Sequence, residues 1–143
     1  MNLAAMNEAE RLVRAYYAAF NNGDRDAFLA LLAKDVVHEV SQGGREVGRA
    51  AFARFMAHMD RCYAERIEDI VVMTEPTGTC AAAEFVVHGT YIATDPGVPP
   101  GTPPAAGQAY VLPAGAFFTL REGRVARISN HYNLPDWVRL VGG

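Results

Sequence analysis

Residues 12–40 read LVRAYYAAFNNGDRDAFLALLAKDVVHEV. Leu12, Tyr16 and Phe20 recur every four residues with Val13 and Tyr17 beside them, a stripe that predicts an amphipathic helix over residues 6–21. Asn21-Asn22-Gly23 then supplies a residue able to take positive φ and stop that helix. Asp24 is placed to cap a second one by accepting its free backbone N–H groups. Phe28, Leu29, Leu31 and Leu32 give this second, short helix an apolar side, and Ala33-Lys34-Asp35 reads as a polar break. Val36 to Val40 is short and rich in β-branched residues, so it reads as a strand. The stretch is therefore a helical hairpin that feeds a strand.

Working outward, Ser41-Gln42-Gly43-Gly44 turns the chain, and Phe52, Phe55, Met56, Met59 and Tyr63 predict a third helix over about residues 49–64. Strands follow at residues 67–73, 80–94, 110–120 and 125–133, separated by Glu75-Pro76-Thr77-Gly78, a long loop, and the hairpin turn Arg121-Glu122-Gly123-Arg124. Pro113 lacks an N–H donor, which implies an edge position or a bulge. Residues 95–107 hold five of the eight prolines, Pro96, Pro99, Pro100, Pro103 and Pro104. That composition reads as a stiff surface loop, with a plain connector favoured over a pocket cover. Leu134-Pro135-Asp136-Trp137 opens a short terminal helix. Three helices ahead of a run of strands indicate an α+β domain over residues 1–143, with helices across one face of a curved, mostly antiparallel sheet. A cone left between them is a ready pocket for a small molecule.

Composition narrows the chemistry. The 143 residues are 50% hydrophobic and carry a formal net charge of -3, with twelve arginines and one lysine scattered along the chain. Concentrated positive charge of the kind that neutralises phosphates is missing, which argues against a nucleic-acid or anionic-membrane surface. No apolar run approaches the ~20 residues that span a bilayer, and a soluble cytoplasmic protein is expected. Ser41 and Ser129 are the only serines and neither sits in a nucleophile elbow. Lys34, in its polar setting, is a poor Schiff-base candidate. His38, His58, His88 and His131 show no ligand spacing and Cys62 and Cys80 are far apart, so no metal is expected; with no phosphate-cradling or dinucleotide glycine motif, no cofactor is implied.

The order of helix, Asn21-Asn22-Gly23-Asp24, helix, Leu31-Leu32-Ala33-Lys34-Asp35-Val36-Val37, helix, and strands ending in Gly123-Arg124-Val125 resembles the nuclear transport factor 2-like superfamily over about residues 8–138. Within it, the chain is similar to ketosteroid isomerases and SnoaL-like polyketide cyclases. The resemblance implies a cone-shaped sheet enclosing a pocket for a small hydrophobic molecule, and homodimers. It puts Tyr16 where the isomerases have their oxyanion-binding tyrosine. Val40 falls where they have a proton-shuttling aspartate and Ala116 where they have a second, protonated acid. Asn130 falls where the cyclases have their base, an amide that cannot take up a proton at neutral pH.

Strand alternation assigns the faces. Residues 83, 85, 87, 89 and 91 form the apolar, inward set, with Phe85 and Val87 toward the pocket; Glu84 and His88 face the other way, to solvent or a second subunit. If Val40 is inward, His38 shares its face and Glu39 does not. An imidazole, with a reference pKa near ~6.5, can move protons at neutral pH. Asn130 and Tyr132 share one face of the last strand, and Ser129 and His131 the other. Phe20, Phe55, Met59, Tyr63 and Tyr110 complete the expected lining. The functional expectation is a cofactor-independent isomerase or cyclase acting on a hydrophobic carbonyl compound through an enolate: Tyr16 stabilises the oxyanion, Asn130 adds a donor and His38 moves the proton. A binding protein that keeps the cone without the acids is the alternative.

Overall fold

The structure is a computed structural model and describes residues 2–143; Met1 lies outside the described residues. Its elements are α1 (Leu3–Asn21), α2 (Arg25–Ala30), β1 (Leu32–Val40), β2 (Arg45–Val47), α3 (Arg49–Cys62), β3 (Tyr63–Thr74), β4 (Cys80–Tyr91), β5 (Gln108–Arg121), β6 (Arg124–Tyr132) and α4 (Leu134–Gly142). The six strands form one curved, unclosed sheet in the order β2-β1-β6-β5-β4-β3. Only the β1–β6 pairing is parallel. The α+β expectation of helices over one face of a mostly antiparallel sheet is met.

The opening stretch folds as its pattern dictates, with two differences. Asn2 caps α1 through a bond from the Ala5 N–H to its Oδ1 (3.0 Å), so the helix starts three residues earlier than the apolar stripe alone predicts. Gly23, at φ +68°, makes the turn, and Asp24 caps α2 through Ala27 N–H. The second difference is at the other end. Leu32 already belongs to β1, paired with Val125, so Lys34 and Asp35 lie inside a strand and not in a break. A register shift between Leu32 and Val37 absorbs the two exposed polar residues. Leu32, Val36 and His38 remain on the buried side.

The core sits under α1 and α2. Tyr16 is packed 4.6 Å from Phe28, 5.0 Å from Tyr17 and 5.4 Å from Phe118 between ring centroids. A fully buried ring such as Phe28 contributes roughly 2–3 kcal/mol by burial, with about 0.5–1.5 kcal/mol more from each well-oriented aromatic pair. Asn21, the last residue of α1, accepts from Ile67 N–H and donates to Ile67 O, each at 2.8 Å. That pair of hydrogen bonds to the backbone ties the helix to β3 like an extra rung of the sheet.

Four other features of the sheet frame the site. α3 ends at Cys62 and β3 begins at Tyr63 without a loop, so residues 63–66 are strand and not helix end or linker. β4 keeps its predicted alternation, with Ala81, Ala83, Phe85, Val87 and Tyr91 buried on one face. Pro113 pairs with Val86 on β4 but lies just past Ala114–Tyr132, the last pairing with β6, and so occupies a local edge. β2, which the Gly-rich turn at 41–44 did not announce, pairs with β1 through Val37–Val47 and lies at the sheet edge. Among the described residues no helix is long and apolar enough to cross a membrane.

Candidate functional site

Between the concave face of the sheet and the helices lies a cavity of about 400 Å³. α1 contributes Tyr16, Tyr17 and Phe20, and β1 contributes His38 and Val40. α3 lays Phe52, Phe55, Met56 and Met59 along one wall from its inner stripe, and His58 reaches the cavity from the flank of that stripe. β3 and β4 add Tyr63, Glu65, Ile67, Phe85 and Val87, and Trp137 of α4 closes one end. The residues expected to line a pocket thus meet there, with two exceptions. Ala116 is 1% exposed and packs within the core, and Tyr110 stands behind the wall with its hydroxyl turned to Glu65.

The loop of residues 95–107 is not a plain connector. Asp95, Gly97, Val98 and Pro99 are part of the cavity wall. Asp95 fixes the start of the loop: its carboxylate accepts from Tyr63 Oη (2.7 Å) and Gly97 N–H (2.8 Å), and lies 3.1 Å from His58 Nε2. Its backbone N–H donates to Tyr91 Oη (2.9 Å). Its partners outweigh its burial and hold its pKa below the usual carboxylate range, so it is ionised at neutral pH.

His38 is 2% exposed and sandwiched by aromatic rings, stacked on Phe52 at 4.3 Å and edge-on to Phe55 at 4.5 Å. Burial depresses its pKa to about 4, so the ring is neutral at neutral pH. Asn130 Nδ2 lies 3.2 Å from His38 Nε2. This contact occupies Nε2 of the imidazole, and the tautomer of the ring sets which partner donates. Glu39, on the other face of β1, is tied up by Arg127 at 2.6 Å. Ser129 and His131 bond each other at 2.8 Å. Tyr16 is buried, which pushes its hydroxyl pKa well above the ordinary value and keeps it protonated as a donor.

Glu65 is the group that the sequence pattern concealed. It sits between Tyr63 and Ile67 on the inner face of β3 and lines the cavity. Its Oε2 accepts from Tyr110 Oη at 2.6 Å, which favours the ionised form, but burial is the larger effect and raises its pKa. The alternation Tyr63, Glu65, Ile67 is visible in the sequence, and reading it needs only the end of α3 placed at Cys62. His58, Asp95 and Trp137 carried no such signal, because they reach the cavity from separate elements.

A family model described as the SnoaL-like domain matches residues 13–128. The chain belongs to the SnoaL-like family. Two solved structures are similar along nearly their whole length, and both are of candidate polyketide cyclases. One, from Xanthomonas campestris pv. campestris, is 52% identical with a TM-score of 0.90, over 96% of this chain and 98% of that one. The other, from Pseudomonas putida KT2440, is 58% identical with a TM-score of 0.88, over 92% of this chain and 96% of that one. An M. tuberculosis LEH-like epoxide hydrolase is 19% identical with a TM-score of 0.74, over 95% of this chain and 86% of that one, a likeness of fold alone. No curated protein matches the chain. Within the SnoaL-like frame, the carboxylates on this cavity wall are Glu65 and Asp95, while positions 40, 116 and 130 hold valine, alanine and asparagine.

Proposed function

We propose that residues 1–143 act as one ligand-binding domain and that the cavity holds a small, uncharged and largely apolar carbonyl compound. The reaction is a cofactor-independent isomerisation or cyclisation through an enol or enolate. The observation that carries this reading is the composition of the wall: aromatic and aliphatic side chains over most of it, a few convergent polar groups, and neither lysine nor arginine among the lining residues. An anionic ligand would meet two carboxylates there without a countercharge. In this reading the Tyr16 hydroxyl donates to the developing oxyanion, Asn130 adds a donor, and His38 takes part in proton transfer. The similarity to candidate polyketide cyclases points the same way.

A second reading, a binding protein without chemistry, draws on Val40, Ala116 and Asn130 standing where related enzymes have acids, and on the hydrogen bond that occupies His38 Nε2. A panel of β,γ-unsaturated and aromatic ketones separates the two. Product formed by the wild-type protein and reduced at least tenfold in Tyr16→Phe supports the enzyme; ketones bound and recovered unchanged support the binder.

We also propose a homodimer built on the outer face of the sheet. Val71, Met73, Val111 and Phe117 are each about half exposed there. The pairings Met73–Ala82 and Ala82–Phe117 put three apolar residues in one row across β3, β4 and β5.

A further inference from the structure

An enolising site needs a base, and the positions that supply one in related enzymes hold none here. Four ionisable groups on the cavity wall other than tyrosines can be compared with Glu65. His38 is hydrogen-bonded at Nε2 to Asn130. His58 and Asp95 hold each other at 3.1 Å, and Asp95 also accepts from Tyr63 Oη and Gly97 N–H. His131 is bonded at Nε2 to Ser129. Glu65 differs from all of them. Tyr110 Oη takes one of its oxygens, and among the described residues Oε1 has no hydrogen-bond partner, on a side chain that lines the cavity.

The carboxyl is also held in place. β4 runs between Glu65 on β3 and Tyr110 on β5, and the residue opposite both is Gly89. A Cβ at that position would lie 2.2 Å from Tyr110 Cζ. Only a glycine lets the phenol lie across the intervening strand and reach the carboxylate two strands away.

We infer that Glu65, positioned by Tyr110, is the base of this cavity that takes the proton from a carbon next to the carbonyl of an uncharged ketone. The inference rests on the enolate reading given above. Glu65 Oε1 removes the proton, the C–H electron pair becomes the C=C bond, and the carbonyl π pair moves to oxygen, which takes a hydrogen bond from a wall tyrosine. The Glu65 carboxylic acid then returns the same proton, to a conjugated carbon in an isomerisation or to the new alkoxide after the enolate carbon has closed a ring. No oxidant or reductant enters. Burial makes this carboxylate a stronger base than an exposed one, as a group that abstracts from carbon requires. The titratable groups around it are Tyr63 on its own strand, Tyr110 on β5, Tyr132 on β6, His58 on α3 and Asp95 in the loop; Tyr132 feels the charge of both Glu65 and Asp95.

The experiment is hydrogen–deuterium exchange at the α-carbon of 2-tetralone in D₂O, followed by proton NMR, with binding read from the fluorescence of Trp137, the only tryptophan. Wild-type protein accelerates the exchange, and Glu65→Gln lowers it by about 10²- to 10⁴-fold with ketone binding retained. Glu65→Asp keeps part of the rate. Tyr110→Phe shifts the rising limb of the pH–rate profile to higher pH, because it removes a donor that favours the carboxylate. Exchange by Glu65→Gln within threefold of wild type overturns the role of Glu65 and leaves the enolate reading standing. If 2-tetralone binds to the wild type without exchange, the enolate reading falls and this inference with it. Should Glu65→Gln fail to fold, the Glu65→Asp rate and the Tyr110→Phe profile decide: both unchanged from wild type overturn the inference.

Discussion

Tyr110 and Glu65, 45 residues apart in the chain, are hydrogen-bonded at 2.6 Å across a strand that separates them. The bond exists because Gly89 has no side chain to block it. Gly89→Ala should therefore push the Tyr110 ring out of place and break the contact. We expect a loss of about 1–3 kcal/mol in urea denaturation, the usual range for overpacking a closed site. A variant as stable as wild type, with the Tyr110–Glu65 bond intact in its crystal structure, would contradict the packing argument.

Glu65 should also be a liability for stability at neutral pH. Its folded pKa is raised above the ordinary 4.5, so the protonated form is favoured in the folded state. Stability from this group is fully present below the unfolded value and is lost as pH rises through the folded one. Glu65→Gln should accordingly melt at a higher temperature than wild type at pH 8, with the gap closing below about pH 4. Calorimetry across that range is the measurement, and a gap that does not vary with pH would count against a raised carboxyl pKa.

His38 gives the opposite pH dependence. Its pKa is depressed from 6.5 to about 4, so the unfolded chain takes up a proton before the folded one does. Its stabilising contribution is present above pH 6.5 and is lost as pH falls toward 4, by roughly 3 kcal/mol in all. His38→Phe keeps the stacking on Phe52 and should flatten stability between these limits, as seen in denaturant midpoints measured every half pH unit. A slope equal to that of wild type would show that other groups carry it.

Tyr16 and Tyr17 are neighbours with different prospects. The Tyr17 hydroxyl is buried without a hydrogen-bond partner among the described residues. Tyr17→Phe should leave stability unchanged or raise it by about 1 kcal/mol, since a phenyl ring avoids the desolvation of an unpaired hydroxyl. A loss of more than 1 kcal/mol on the urea curve would reveal an unrecognised partner.

The outer sheet face offers a direct test of assembly. Phe117→Arg places a charge at one end of the Met73–Ala82–Phe117 row. Sedimentation velocity should show a wild-type dimer and a monomeric variant with the same circular dichroism spectrum. A wild-type monomer at high concentration would remove the proposed interface.

The sequence by itself determined the fold, because each of its signals is local. The stripe Leu12, Tyr16, Phe20, the break at Gly23 and the cap Asp24 act within a few residues of one another, and so does the alternation that buries Phe85 and Val87. The same locality located His38 and Asn130 on inner faces, where they meet at 3.2 Å. Only the tertiary structure decided which ionisable groups share the cavity. Glu65 lay hidden because the helical stripe of α3 runs on to Tyr63 in sequence, whereas the backbone turns extended at that residue (φ -135°, ψ 141°). Asp95 and His58 meet by loop closure, and Tyr110 reaches Glu65 only across the space left by Gly89. Such contacts depend on where separate elements end and what lies between them, and neither is encoded in the period of any single segment.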